Sequence, residues 1–189
     1  MKFISNRYVV KIPSEIRVIY CESRRLLILK TDKNKKLIKL NLKILFVREK
    51  NVIIVTDYYF SRSSNKDKKI LKSLQGLTVS LIKKSLFEVS TITCKKLKLV
   101  GVGYKVFFSE PSNLLNLKLG YSHSIYYKIP TKITVKVIQS TKIFVFGYNY
   151  KQVCYIASIL RRFKVPEPYK GKGIKYFNEI IKLKEGKKI

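Results

Sequence analysis

Carboxylates are scarce in this chain. Eleven Asp plus Glu stand against 41 Lys plus Arg, a formal charge of +30 over 189 residues. A folded protein so basic repels itself unless a polyanion neutralises it, and nucleic acid is favoured as that polyanion over an anionic membrane surface. Tryptophan is absent and His123 is the single histidine. Cys21, Cys94 and Cys154 are far apart, odd in number and in no C-x-x-C pair. A zinc site needs clustered ligands, so these cysteines read as reduced, small hydrophobic residues. With few carboxylates and no nucleophile or acid at a telling distance from His123, no catalytic constellation emerges, and neither cofactor nor metal is expected. No apolar run approaches the ~18 residues of a membrane span. The stretch from Met1 to Ile12 is too short and too lightly charged for a transit or signal peptide. Ala157 is the only alanine, and Lys outnumbers Arg 33 to 8. Physics does not ask for that ratio, but A/T-rich coding does, as in organelles and in some bacteria and protists. A mitochondrial location is therefore expected, ahead of a plastid or a bacterial cytoplasm.

The chain does hold enough apolar material for a core: 46% of it is hydrophobic, with 13 Tyr and 10 Phe. Residues 9–18, VVKIPSEIRV, resemble residues 126–135, YYKIPTKITV, and the same offset of 117 continues from 26–29 (LLIL) to 143–146 (IFVF). Each copy sets a Lys-Ile-Pro turn before a strand and a short apolar strand after it, as a buried central strand requires. Strands are expected over Leu37 to Leu40, Lys43 to Val47 and Asn51 to Thr56. A polar stretch at Ser61 to Lys69 follows. Ile70, Leu74, Leu77 and Leu81 then step by four, three and four, which predicts one face of a helix running to about Val89. In the second half, Leu97 to Phe108 reads as a long strand interrupted by Gly101 and Gly103. Alternation marks Leu115 to Leu119 and Ile133 to Val137 as strands with one buried face. Asn149 is placed to cap a helix whose inner face is Val153, Ile156, Ala157 and Leu160. The expected fold is α+β: two similar domains, each an antiparallel sheet with a long helix packed on one face, plus an extended basic C-terminal arm. The boundaries fall at 1–95, 96–165 and 166–189.

Two glycine motifs invite enzymatic readings and fail them. Gly101-Val102-Gly103 lacks the third glycine of a dinucleotide-binding turn, and Gly171-Lys172-Gly173 lacks most of a phosphate-binding loop. The informative stretch is Arg161 to Tyr176, RRFKVPEPYKGKGIKY. Its Lys and Arg side chains suit phosphates, Tyr169 suits stacking or a hydrogen bond, and its glycines let backbone N–H groups approach a polyanion. Pro166 and Pro168 hold the segment extended.

At these residues the chain resembles a known family. PEPYKGKGI at 166–174 is similar to the signature of bacterial-type large-subunit ribosomal protein L-six. KLKLVGVGYK, around Leu97 to Lys105, resembles the family's segment opening its second domain, and Leu119-Gly120-Tyr121-Ser122-His123 its L-G-[FY]-S-H turn. The pattern can be laid over roughly residues 8 to 188. Departures are the turn Thr31 to Lys36, which is glycine-rich in the family, Ser124 in place of a proline, and residues 57–75. The resemblance implies a structural constituent of the large subunit, not an enzyme. It implies binding to large-subunit rRNA near the sarcin–ricin loop and stalk base, where translational GTPases dock transiently, beside other ribosomal proteins and without a small-molecule substrate. The expected RNA-binding residues are Gly103, Tyr104, Lys105, Ser122, His123, Arg161, Arg162, Lys164, Pro166, Tyr169, Lys170, Gly171, Lys172, Gly173 and Lys175. An RNA-modifying enzyme and a basic membrane-surface protein are the rival classes; the first lacks a cofactor loop or dyad, the second a strongly amphipathic Lys-rich helix.

Overall fold

Alternation of buried and exposed residues builds almost every strand of this protein. The computed structural model describes residues 8–32, 34–60 and 68–186, and the chain divides into two compact units, Met1–Thr91 and Ile92–Ile189.

The first unit runs β1 (Val9–Lys11), β2 (Arg17–Cys21), β3 (Leu26–Lys30), β4 (Lys35–Lys39), β5 (Leu42–Val47), β6 (Val52–Tyr59) and α1 (Lys68–Ser90). These strands form two antiparallel sheets, in the orders β2-β3-β4 and β1-β6-β5. Leu27, Leu29, Ile38, Ile44, Ile53 and Val55 turn inward and meet Val79, Ile82, Leu86 and Val89 of α1. The packed helix face is thus not the predicted one. Ile70, Leu77 and Leu81 are exposed, and Leu74 only joins the core's margin. Two apolar stripes at helical spacing compete on α1, and the one nearer its C-terminus wins because that end is fastened. The Thr31 hydroxyl donates to the Val89 carbonyl at 3.3 Å and the Asn34 amide to the Glu88 carbonyl at 3.4 Å, while Lys36 pairs with the buried Glu88 carboxylate. Carbonyls left over at a helix end need such donors. The turn that departs from the family's glycine-rich form therefore supplies a cap. Most of the polar stretch Ser61 to Lys69, and the first seven residues of the lightly charged N-terminus, lie outside the described residues.

The second unit runs β7 (Thr93–Val100), β8 (Lys105–Ser109), β9 (Leu114–Lys118), β10 (Ile125–Lys128), β11 (Thr134–Gln139), β12 (Lys142–Gly147), α2 (Tyr150–Arg162) and β13 (Gly173–Tyr176). Its sheets are β10-β9-β8 and β11-β12-β7-β13, again antiparallel. What read as one long interrupted strand is β7 and β8, separated by the glycine turn. Asn149 caps α2, its side chain accepting from the Lys151 N–H at 3.1 Å, and Val153, Ile156, Ala157 and Leu160 are all buried, as predicted.

Both units therefore lay six strands and a following helix into the same plan. In chain order, sheet β1-β6-β5 corresponds to β7-β12-β11 and β2-β3-β4 to β8-β9-β10. The 117-residue offset does not follow this correspondence. Lys11-Ile12-Pro13 links β1 to β2, whereas Lys128-Ile129-Pro130 links β10 to β11. Locally the two turns match: Ile16 N–H donates to Pro13 O at 3.1 Å, and Ile133 N–H to Pro130 O at 3.0 Å. Each unit crosses between its sheets twice, and the Lys-Ile-Pro turn serves different crossings in the two. The sequence repeat reports a shared turn; the strand order carries the similarity of the units.

The three cysteines are free thiols. Cys94 is exposed, Cys21 and Cys154 are half-buried, and none belongs to either core.

Candidate nucleic-acid interface

The glycine turn after β7, the turn after β9 and the segment after α2 come together in the second unit. Tyr104 is the joint. It is buried, and its ring lies so close to Gly101 and Gly120 that a Cβ at either glycine would approach ring carbons to 2.9–3.0 Å. These two glycines are small so that an aromatic ring can seat against their backbone. Tyr121, next in chain, donates its hydroxyl to the Phe163 carbonyl at 3.0 Å, and the Lys164 ammonium sits 4.2 Å from the centre of its ring, a cation–π geometry. His123 lies near Tyr121, ring centroids 6.3 Å apart and nearly parallel. Ser122 and His123 are exposed, as are Gly103, Val102 and Lys105.

The C-terminal segment is fastened to this unit. Ile174 is completely buried, and β13 pairs with β7. Ile174 N–H donates to the Lys164 carbonyl at 2.8 Å. A Cβ on Gly173 would stand 2.7 Å from Pro166 Cα, so only glycine admits that approach. Between these anchors residues 167–172 form a closed turn, with Glu167 N–H to Lys172 O and Gly171 N–H to Glu167 O both at 2.9 Å. Pro168, Tyr169 and Lys170 project from it into solvent, and Lys172 and Lys175 are half-buried. Lys184 N–H returns to the Pro168 carbonyl at 2.9 Å.

Arg161 grips the same segment. Its Nε and Nη2 donate to the two oxygens of Glu179 at 3.1 and 2.5 Å, and Tyr176 N–H donates to Glu179 as well. The Arg161 hydrogen bond, helped by that N–H, holds the Glu179 carboxyl below the usual carboxylate range and raises the guanidinium in turn. A guanidinium engaged in this fork is not free for a phosphate.

The predicted residues therefore sort into two groups. Lys105, Ser122, His123, Arg162, Lys164, Tyr169, Lys170, Lys172 and Lys175, with the backbone of Gly103 and Gly171, form the accessible set. Tyr104, Arg161, Pro166 and Gly173 build the scaffold: Tyr104 is buried under glycines, Arg161 is bound to Glu179, and Pro166 packs against Gly173. Through Ile174 the C-terminal segment also contributes to the core of its unit. Tyr121 and Glu179 were missed. Tyr121 lies inside the Leu119 to His123 motif, so a signal was present; Glu179 carries none, since its partner is 18 residues away.

By fold and composition this is a basic, two-unit α+β protein. The family model described as Ribosomal protein L6 matches residues 100–177. The large ribosomal subunit protein uL6 of Mycoplasma genitalium is 39% identical over 189 aligned residues, covering 99% of this chain and 97% of that protein. Those of Chloroherpeton thalassium (47% identity; 61% of this chain, 64% of that one) and Buchnera aphidicola (42%; 60% and 63%) match shorter spans. The chain belongs to the ribosomal protein L6 family, a structural and non-enzymatic component of the large ribosomal subunit that serves translation. The expected mitochondrial location is overturned: these relatives are bacterial, which points to a bacterial cytoplasmic ribosome. Codon-linked composition separates A/T-rich genomes from others, but not an organelle from a bacterium.

Proposed function

We propose that this protein binds large-subunit rRNA through the end of its second unit where the two glycine turns and the 164–175 segment meet. The site lies near the sarcin–ricin loop and stalk base and borders the docking place of translational GTPases. One observation carries the reading: Tyr104, Tyr121 and Lys164 tie together three separate motifs, and the chain next to these joints bears the accessible cations Lys105, Arg162, Lys170 and Lys172. Cations on a rigid frame position a protein on phosphates without reading sequence. Neighbouring ribosomal proteins complete the setting, and the GTPases are transient neighbours. The protein's work is to fasten RNA segments, with no chemistry of its own. Co-sedimentation with large subunits at high salt, followed by chemical probing of the rRNA with and without the protein, tests this. Protection of the sarcin–ricin and stalk-base regions is expected; protection elsewhere, or release from the subunit at moderate salt, contradicts it.

A further inference from the structure

We propose that the outer face of the β11-β12-β7-β13 sheet is a second RNA-contacting surface, a stacking platform for unpaired nucleotides. The proposal rests on the rRNA-binding reading above and adds to it both a place and a form of RNA.

Strand alternation sets the face. Val135, Ile143, Val145, Leu97, Leu99 and Ile174 point into the core, so their neighbours point out. The register then aligns the outward residues in rows. One row runs Lys136, Phe144, Lys96, and Phe177 extends it by donating its N–H to the Lys96 carbonyl at 3.0 Å. The next row is Lys142, Lys98, Lys175. Phe146 stands beside Phe144, ring centroids 6.2 Å apart and 12° from parallel. The Lys96 ammonium lies 5.6 Å from the Phe144 ring centre and 5.8 Å from that of Phe177. No Asp or Glu occurs in any of the four strands.

Three lysines side by side across adjacent strands repel one another, which is destabilising unless an anion bridges them. A merely solvated sheet face has no need of phenylalanines, and Phe177 is 55% exposed. Lysine rows give phosphates their counter-charges, and flat apolar rings offer stacking faces to bases. That combination recognises single-stranded nucleic acid, because a duplex hides its base faces. Beside Phe146 a cavity of about 310 Å³, lined by Ile92, Lys132, Thr134, Lys136 and Tyr148, leaves room next to the rings. Lys175 and Phe177 come from the C-terminal segment, so one stretch of chain serves both this face and the interface already described.

The test uses the full chain and three labelled RNAs: a ten-residue oligouridylate, a perfect duplex, and a large-subunit rRNA fragment spanning the sarcin–ricin and stalk-base regions. Phe144→Leu with Phe146→Leu keeps apolar volume and removes the rings. Phe177→Ala, at an exposed site, covers the case in which the double variant fails to fold. Each ring lost should weaken oligouridylate binding about tenfold, the scale of one base–aromatic stack, while duplex binding stays unchanged. Lys170→Ala with Lys172→Ala should instead lower the salt dependence on the fragment and leave the ring-dependent step intact. If the wild type binds the fragment but the ring variants bind oligouridylate as it does, the platform is wrong and the first interface stands. The platform is equally wrong if the ring variants lose a neighbouring protein from the subunit while keeping RNA affinity, since the face would then be a protein contact. Failure of the wild type to bind the fragment sinks both readings.

Discussion

The two units share a plan and differ in what they put on it. Charge does not separate them: 21 Lys plus Arg against seven carboxylates in the first, 20 against four in the second. Placement does. On the outer face of the helix-bearing sheet the first unit aligns Val9, Ile54 and Leu45 in one row and Lys11, Val52 and Val47 in the next. The second unit aligns lysines and phenylalanines there. The helices are anchored differently as well. The end of α1 is capped from within its own unit by Thr31 and Asn34, whereas the last turn of α2 sends Arg161 out to hold the C-terminal segment. A fold fixes where strands lie; the residues between the buried positions decide what the surface meets. One plan thus carries two different surfaces while both units keep a core.

This contrast can be broken most sharply at β13, which has no counterpart among the described residues of the first unit. Ile174→Ala should destabilise that unit by about 2–5 kcal/mol, the cost of a cavity at a fully buried site, while Leu45→Ala in the first unit should change stability by less than about 0.5 kcal/mol. Urea unfolding reads both; a neutral Ile174→Ala would mean that the segment is an appendage. Next come the ion pairs. Lys36→Met strips a partner from the buried Glu88 and should cost up to about 3 kcal/mol, mostly from the carboxylate left in the core. Glu179→Gln should cost only about 1 kcal/mol, because the pair with Arg161 is partly solvated. Since Glu179's carboxyl is held below its ordinary range when folded, its contribution is present above the unfolded carboxylate range and is lost as pH falls through the folded value. The gap between wild type and Glu179→Gln should thus be full near neutrality and close in acid. A gap that grew in acid would show that Arg161 does not hold this carboxylate.

How far the sequence was legible follows from the range of each interaction. Strands with one buried face showed themselves by alternation, and α2 by a single apolar stripe behind Asn149. α1 offered two stripes, and only the distant Thr31 and Asn34 chose between them. The Lys-Ile-Pro turn is short and local, so it was visible twice, yet its place in the sheet order depends on pairings tens of residues apart. At the interface, motif residues were found, but their division into contact and scaffold was not. Tyr104 is an aromatic beside glycines in either role, and burial alone decides. Arg161 has the chemistry of a phosphate ligand until Glu179 is folded against it.

Above all, lysines of the 164–175 segment should neutralise rRNA phosphates. The direct measurement is the affinity for an rRNA fragment at several salt concentrations, for the wild type, for Lys170→Ala with Lys172→Ala, and for Lys35→Ala with Lys39→Ala, an exposed pair on β4 of the first unit. Each phosphate contact on a duplex contributes about 0.9 to the slope of log affinity against log salt, so losing two should lower the slope by up to about 2. The slope should fall for the tail pair and hold for the first-unit pair. An unchanged slope for the tail pair, or an equal fall for both, would contradict a phosphate-binding role for this segment.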